Sequence, residues 1–324
     1  LSQACTVTLA PNTLSNVWVV QNSAGATVTL TAGTGANVVI PTGGIRMVAT
    51  DGGGSGAAVT DVLDVLGGTG NVGLGSGAFG TALTTGTDNV AIGEASLDAV
   101  TTGSDNVAIG DNALGAQTTA SFNVGIGSDA GLAITTGDRN VAIGYQALKT
   151  NTVGDRSVAV GYSALYTQNP ASNADMGNVA IGNLSMYSTT TGTNNTGVGF
   201  NSMFANTTGA NNTAVGALAG DAITTGLGNV AVGYRSLSSN TTAASNTAIG
   251  VDALTSNTTG TSNTAVGRDT LNQQTTASYN TALGHQALNL NTSGANNTAS
   301  GYKALYANTT GTENSAFGGY AGLA

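Results

Sequence analysis

Charge is the first thing this sequence lacks: only 7% of its 324 residues are Asp, Glu, Lys or Arg, where a soluble domain carries about a quarter. Seven Lys+Arg stand against sixteen Asp+Glu, a net charge of −9. Phosphate backbones are held by clustered cations, so nucleic-acid binding is not expected. A single cysteine excludes an intrachain disulfide, and with a single histidine it cannot complete a zinc site. No cofactor or metal is expected. No apolar run reaches the ~18 residues that would span a membrane. No basic segment followed by an apolar stretch marks a signal peptide. The first residue is Leu1 rather than Met, as expected of a processed product or a fragment. Aromatics are 5% and prolines three. What remains is small: 49 glycines, with 40% apolar residues that recur at fixed intervals. That recurrence argues against disorder.

The motif Asn-(Val/Thr)-Ala-(Ile/Val)-Gly occurs fifteen times from Asn71 onward, and twelve of the fourteen spacings are 17 residues. The exceptions are 18 residues after Asn71 and 21 after Ser157, where four extra residues fall within Thr167–Gly177. Numbering the motif from its Asn, position 5 is Gly in all fifteen copies, position 9 is usually Leu and positions 13 and 14 are usually Thr-Thr. One 17-residue unit cannot bury a core alone, so its copies must stack. It is too short for a helix pair and fits two short strands with two turns, Gly supplying the turns. The expected fold is all-β: a parallel β-solenoid, one repeat per turn, over residues 71–324. Fifteen turns at about 4.8 Å would extend roughly 70 Å.

Stacking turns each position into a ladder. Position 1 gives an amide ladder (Asn89, Asn106, Asn140, Asn212, Asn246), in which stacked side chains hydrogen-bond along the axis. Position 4 gives an aliphatic ladder (Ile92, Ile109, Ile143, Val215, Ile249), expected to be buried opposite the Leu ladder of position 9. Position 5 gives the corner glycines Gly93, Gly110, Gly144, Gly216 and Gly250. Position 2 is Val in most early copies and Thr in most late ones, which fits a subunit interface or a partly wet face. Small Ala or Gly at position 3 would let another chain approach. With so thin a core, a homotrimer of side-by-side chains is the expected assembly.

Residues 1–56 lack the repeat. Strand-like runs at Thr6–Leu9, Val17–Gln21, Thr27–Thr31, Asn37–Ile40 and Ile45–Ala49, separated by turn residues, predict a small antiparallel β module that holds Trp18. Gly52–Gly56 reads as a flexible link, and residues 57–70 as a linker into the solenoid.

Asn89-Val90-Ala91-Ile92-Gly93 and Ser157-Val158-Ala159-Val160-Gly161 resemble the head repeats of trimeric autotransporter adhesins. The resemblance covers about three quarters of the chain and implies a left-handed, trimeric β-roll. The Asn-Thr-Ala-Val-Gly and Asn-Thr-Thr-Gly arrays also resemble those of bacteriophage tail fibres. The segment Val17–Ala26, with Thr27–Leu30, Ile40-Pro41 and Asp51-Gly52, is similar to a small β module common in such fibres. Together they imply a non-enzymatic structural and attachment protein: a stiff trimeric shaft of a virion tail fibre, outside the cell. Its partners would be itself, other fibre proteins and a host receptor or glycan. A bacterial surface adhesin is the alternative. End-of-chain residues Leu323-Ala324 fall mid-repeat, as removal of a downstream chaperone, or truncation, would leave them.

Several residues invite sharper readings. His285 stands at position 6, where other copies place Glu94, Asp111 or Arg268; so variable a position reads as a rim, not a catalytic centre. Cys5 reads as a small half-buried hydrophobe. Asp88 and Asp105 read as solvated acids rather than calcium ligands. Nine Asn-x-Ser/Thr sequons arise mainly from the repeat register. The Thr-Thr pairs read as turn formers. Tyr145, Tyr162, Tyr234 and Tyr302 at position 6 are the candidates for contact with a glycan.

Overall fold

The computed structural model describes residues 3–9, 15–32, 37–40, 45–51, 59–65, 70–80 and 82–323. The Gly52–Gly56 link and Ala324 lie outside them. The chain divides into two compact units, Leu1–Asp129 and Ala130–Ala324.

The first unit begins with six strands: β1 (Cys5–Thr8), β2 (Ser15–Gln21), β3 (Val28–Thr31), β4 (Val38–Ile40), β5 (Ile45–Asp51) and β6 (Val59–Val65). β3 pairs with β1 in parallel and with β4 antiparallel. β5 pairs antiparallel with β2 and β6, with an irregularity between Met47 and Val48. Val28, Leu30, Ile40, Val48 and Val59 are buried together, and Cys5 and Trp18 pack half-buried against them. The five predicted strand runs are present within two residues at each end. The segment expected as a linker instead contains β6, whose backbone is paired on both edges: with β5, and antiparallel with the strand Val72–Leu74. Pairing rather than side-chain alternation fixes this strand, so the pattern with Asp61 and Asp64 concealed it.

Val72–Leu74 also pairs in parallel with Val90–Ile92. From there, within each unit, successive repeats place position 2 beside position 2 of the next: Val90 beside Val107 in the first, and Thr247 beside Thr264 in the second. Among the described residues four such repeat strands lie in the first unit and eleven in the second. This is a parallel β-solenoid with one repeat per turn. Each turn holds one three-residue repeat strand rather than two strands. Positions 7 and 9 sit in the left-handed region, as Ala95 (φ 49°) and Leu97 (φ 50°) do. Two left-handed residues in three steps keep the rest of the turn out of strand geometry.

The interior differs from the expected one. In every repeat strand the middle residue, position 3, is buried: Ala91, Ala108, Ala142, Ala214 and Ala248 are fully enclosed. Ile92, Ile109 and Ile143 are half-exposed, and Val215 and Ile249 are exposed. The position-4 ladder exists, but on the outer face. Side chains alternate along a strand, so positions 2 and 4 must share one face and position 3 take the other. The interior belongs to Asn at 1, Ala at 3, Ala or Ser at 8, Leu at 9 and a residue at 12.

Volumes balance between these positions. Two turns of the solenoid put Gly at position 9 and Ile at position 12: Gly131 with Ile134, and Gly220 with Ile223. A Cβ on Gly220 would lie 2.8 Å from Ile223 Cδ1, so the isoleucine occupies the missing leucine's space. Met186 replaces Leu at position 9, and the next turn answers with Gly197 at position 3, where a Cβ would lie 2.9 Å from Met186 Cγ. Position 5 is Gly for a backbone reason: at φ 138° a Cβ on Gly93 would lie 2.4 Å from the Gly110 carbonyl oxygen.

A solenoid accommodates additions at its turns, which predicts a surface loop for the Thr167–Gly177 segment. Ala171–Asn173 are exposed, but Gln168, Pro170 and Met176 are buried. Ala174–Asp175 pairs in parallel with Gly154–Asp155, and Arg156 forms an ion pair with Asp175. The extra residues bulge outward while both ends stay in the core.

Candidate functional surface

The buried amide ladder uses every polar atom of its side chains. Asn106 donates from its backbone N–H and its Nδ2 to the same Asn89 Oδ1, at 3.0 and 2.9 Å. Asn89 Nδ2 in turn donates to the Gly103 carbonyl at 2.9 Å. The pattern recurs at Asn212 and Asn246, whose Nδ2 groups donate to the Gly226 and Gly260 carbonyls. A fully enclosed amide is stable only when so satisfied. At Ser157 the ladder is spliced by Gln168: its Nε2 donates to Ser157 Oγ, and Asn178 Nδ2 donates to its Oε1, each at 2.9 Å. A second set of amides at position 12, including Asn151 and Asn257, donates to the carbonyl three residues on. These amides are enclosed in the coil and act structurally, although Asn206 Oδ1 and Asn257 Oδ1 at position 12 are buried without a hydrogen-bond partner.

Three outer surfaces remain. The first is the outer face of the repeat strands. In the second unit its position-4 row includes Ile181, Val215, Ile249 and Leu283, each 38–41% exposed. Position 2 contributes a parallel row of Val, Thr and one Ser, and neither row carries a charge in that unit. The second surface is formed by positions 13 to 17. Position-13 Thr hydroxyls donate to the carbonyl of the equivalent Thr one turn on, as Thr101 does to Thr118 and Thr207 to Thr224. The Thr-Thr pairs therefore do help to stitch the turns. The third is the corner of positions 6, 7 and 10.

No family model, curated protein or solved structure matches the chain.

The sequence candidates fall on these surfaces as follows. Tyr145, Tyr162, Tyr234 and Tyr302 form part of the position-6 column and are each about half exposed. Tyr145 and Tyr162 stack on one another with centroids 5.7 Å apart, so their inner faces are spent within the chain. His285 is on the same column, exposed, 3.7 Å from Asp269 Oδ2 and tilted against Tyr302. Asp88 and Asp105 are exposed at the left-handed position 17. Among the described residues no group of three His, Cys, Asp or Glu is placed to hold a metal ion. The sequon residues Asn206, Asn240, Asn257 and Asn291 are fully enclosed and cannot accept a glycan in the folded chain. Sequence reasoning missed a second aromatic column at position 10, where Tyr166, Tyr187 and Phe204 stack at 5.1 and 5.4 Å. Their spacings of 21 and 17 residues follow the repeat register and carried that signal.

Proposed function

We propose that the chain is a non-enzymatic structural element: the stiff, homotrimeric shaft of an extracellular attachment fibre of the bacteriophage tail-fibre kind. The observation that carries this reading is the outer face of the repeat strands. Eleven strands in one unit present two continuous rows of uncharged, mostly β-branched side chains, half-exposed in the single chain. An uncharged surface of that regularity, with one exposed aliphatic row, is best covered in solution by a partner with the same period. The partner with the same period is another copy, and the resemblance to trimeric repeats supplies the number three. A bacterial surface adhesin is the second reading, supported by the Asn89–Gly93 and Ser157–Gly161 motifs.

Two substitutions on one strand test the assembly. Ile249→Glu places a charge in the outer row and should leave the solenoid folded by circular dichroism while reducing the mass in light scattering to that of one chain. Ala248→Glu buries the same charge and should abolish folding. Light scattering that finds the unaltered chain folded and monomeric at micromolar concentration would sink the shaft reading.

A further inference from the structure

The corner of positions 6, 7 and 10 is not as repetitive as the rest of the solenoid. Eight of the nine tyrosines stand there (all but Tyr279), with the only histidine and four of the seven Lys+Arg: Lys149, Arg235, Arg268 and Lys303. All of these lie in the second unit. A structural filler has no reason to gather tyrosines and cations on one exposed corner of a chain poor in both. The cations differ in how far they are neutralised. Arg268 Nε lies 3.3 Å from Asp269 Oδ2 and Arg235 Nη1 lies 3.8 Å from Asp252 Oδ1. Lys303 has no ion pair among the described residues. Its Nζ stands 5.5 Å from the ring of Tyr302 and 5.1 Å from that of Tyr306. Tyr320 meets Tyr302 edge-on at 5.1 Å, and His285 tilts over it at 5.5 Å. Unlike the face-to-face column of Tyr166, Tyr187 and Phe204, this cluster keeps ring surface open to solvent.

We propose that the cluster of His285, Tyr302, Lys303, Tyr306 and Tyr320 binds an acidic polysaccharide, a chain of uronic-acid sugars. This rests on the attachment-fibre reading and names the class of receptor that the shaft itself would touch. Tyrosine rings cover the apolar C–H faces of a pyranose, and an unpaired ammonium meets its carboxylate. The axial repeat of the corner offers neighbouring, weaker contacts at Arg268 and Tyr234, so a polymer gains from reaching several turns.

Affinity electrophoresis of the full chain tests this in gels containing polygalacturonate, dextran or polyphosphate. Polygalacturonate should retard the protein; dextran should not, and polyphosphate should do so less. Tyr302→Ala and Lys303→Gln should each weaken the retardation about tenfold, as loss of an anchor residue does. Both changes suit the fold, because native turns already place Ala217 at position 6 and Gln286 at position 7. Thr259→Ala, on another surface, should change nothing. Absence of retardation by polygalacturonate, equal retardation by polyphosphate, or full retardation of both variants would overturn the proposal. Light scattering on the same samples reads assembly separately, so a failed sugar site is distinguishable from a failed shaft.

Discussion

Among the described residues thirty-eight non-glycine residues have positive φ, and none of them is Val, Ile or Thr, although those three types fill the strands and turns around them. A branched Cβ collides with its own backbone in the left-handed region. The repeat therefore writes Leu, not Ile, at position 9, and Met186 and Met203 are its natural replacements. Leu254→Met should cost about 1 kcal/mol in urea unfolding. Leu254→Ile, with the same atoms, should cost about 3 kcal/mol, because strain of order 1–3 kcal/mol is added to the repacking. Equal costs would show that packing alone selects leucine. Asp221 gives a second test. At position 10 the Asn272 and Asn289 side chains donate to the position-7 carbonyl of the preceding turn, at 3.0 and 2.7 Å. Asp221 holds the same position without that donor, and its Oδ1 is buried with no partner. Burial pushes its carboxyl above the usual range, against its own and the Ala222 backbone N–H groups and Arg235. A carboxyl raised in the folded state contributes stability that is full below its unfolded pKa and is lost as pH rises through the folded value. Asp221→Asn should therefore stabilise the protein by about 1 kcal/mol at neutral pH, and the difference should close in acid. Unfolding curves recorded across that range check both the sign and the closure.

At the scale of the turn, the sequence made the period, the parallel register and the amide ladder legible, because each repeats without regard to neighbours. It hid which strand residues face inward. Ile at position 4 is more apolar than Ala at position 3, and hydrophobicity alone assigns it to the core. At position 3, opposite the Leu, Ile or Met of positions 9 and 12, the coil has room for a methyl group and not for an isoleucine, so size overrides apolarity there, and the aliphatic row is left for the outside. The tyrosine column of position 6 was visible; the cation-bearing cluster around Lys303 was not, because its members come from three different positions in three turns. The splice at Ser157 was also concealed, since it joins two irregularities eleven residues apart. It predicts a coupled pair. Gln168→Asn shortens the amide and should leave Ser157 Oγ without its partner and Asn178 Nδ2 with the Gly192 carbonyl as its one remaining acceptor, costing about 2 kcal/mol. Adding Ser157→Asn rebuilds the combination found natively at Asn246 and Asn257 and should recover most of the loss. A double-mutant cycle from thermal unfolding measures this recovery; additive effects would show that Gln168 does not carry the ladder across the gap.

At the scale of the whole molecule, the separation of charge from apolar surface sets how assembly responds to salt. Each chain carries a net charge of −9, yet the strand rows through which we propose that copies associate carry none in the second unit. Copies that meet through those rows gain from apolar contact, which salt does not screen, and lose from the mutual repulsion of three acidic chains, which it does. Raising ionic strength from about 0.02 to 0.5 M shortens the Debye length from roughly 20 Å to about 4 Å, which screens repulsion between exposed charges on different chains. Association should then tighten severalfold, and sedimentation equilibrium at the two salt concentrations would show it as a shift toward the assembled mass. An interface built on the corner instead would join Arg235, Arg268 and Lys303 of one copy to the acids of the next. It would weaken over the same range, because exposed ion pairs are screened. The direction of the salt response thus separates the strand-row interface of the proposed assembly from a corner interface, and tells whether the Lys303 cluster would stay open to a sugar.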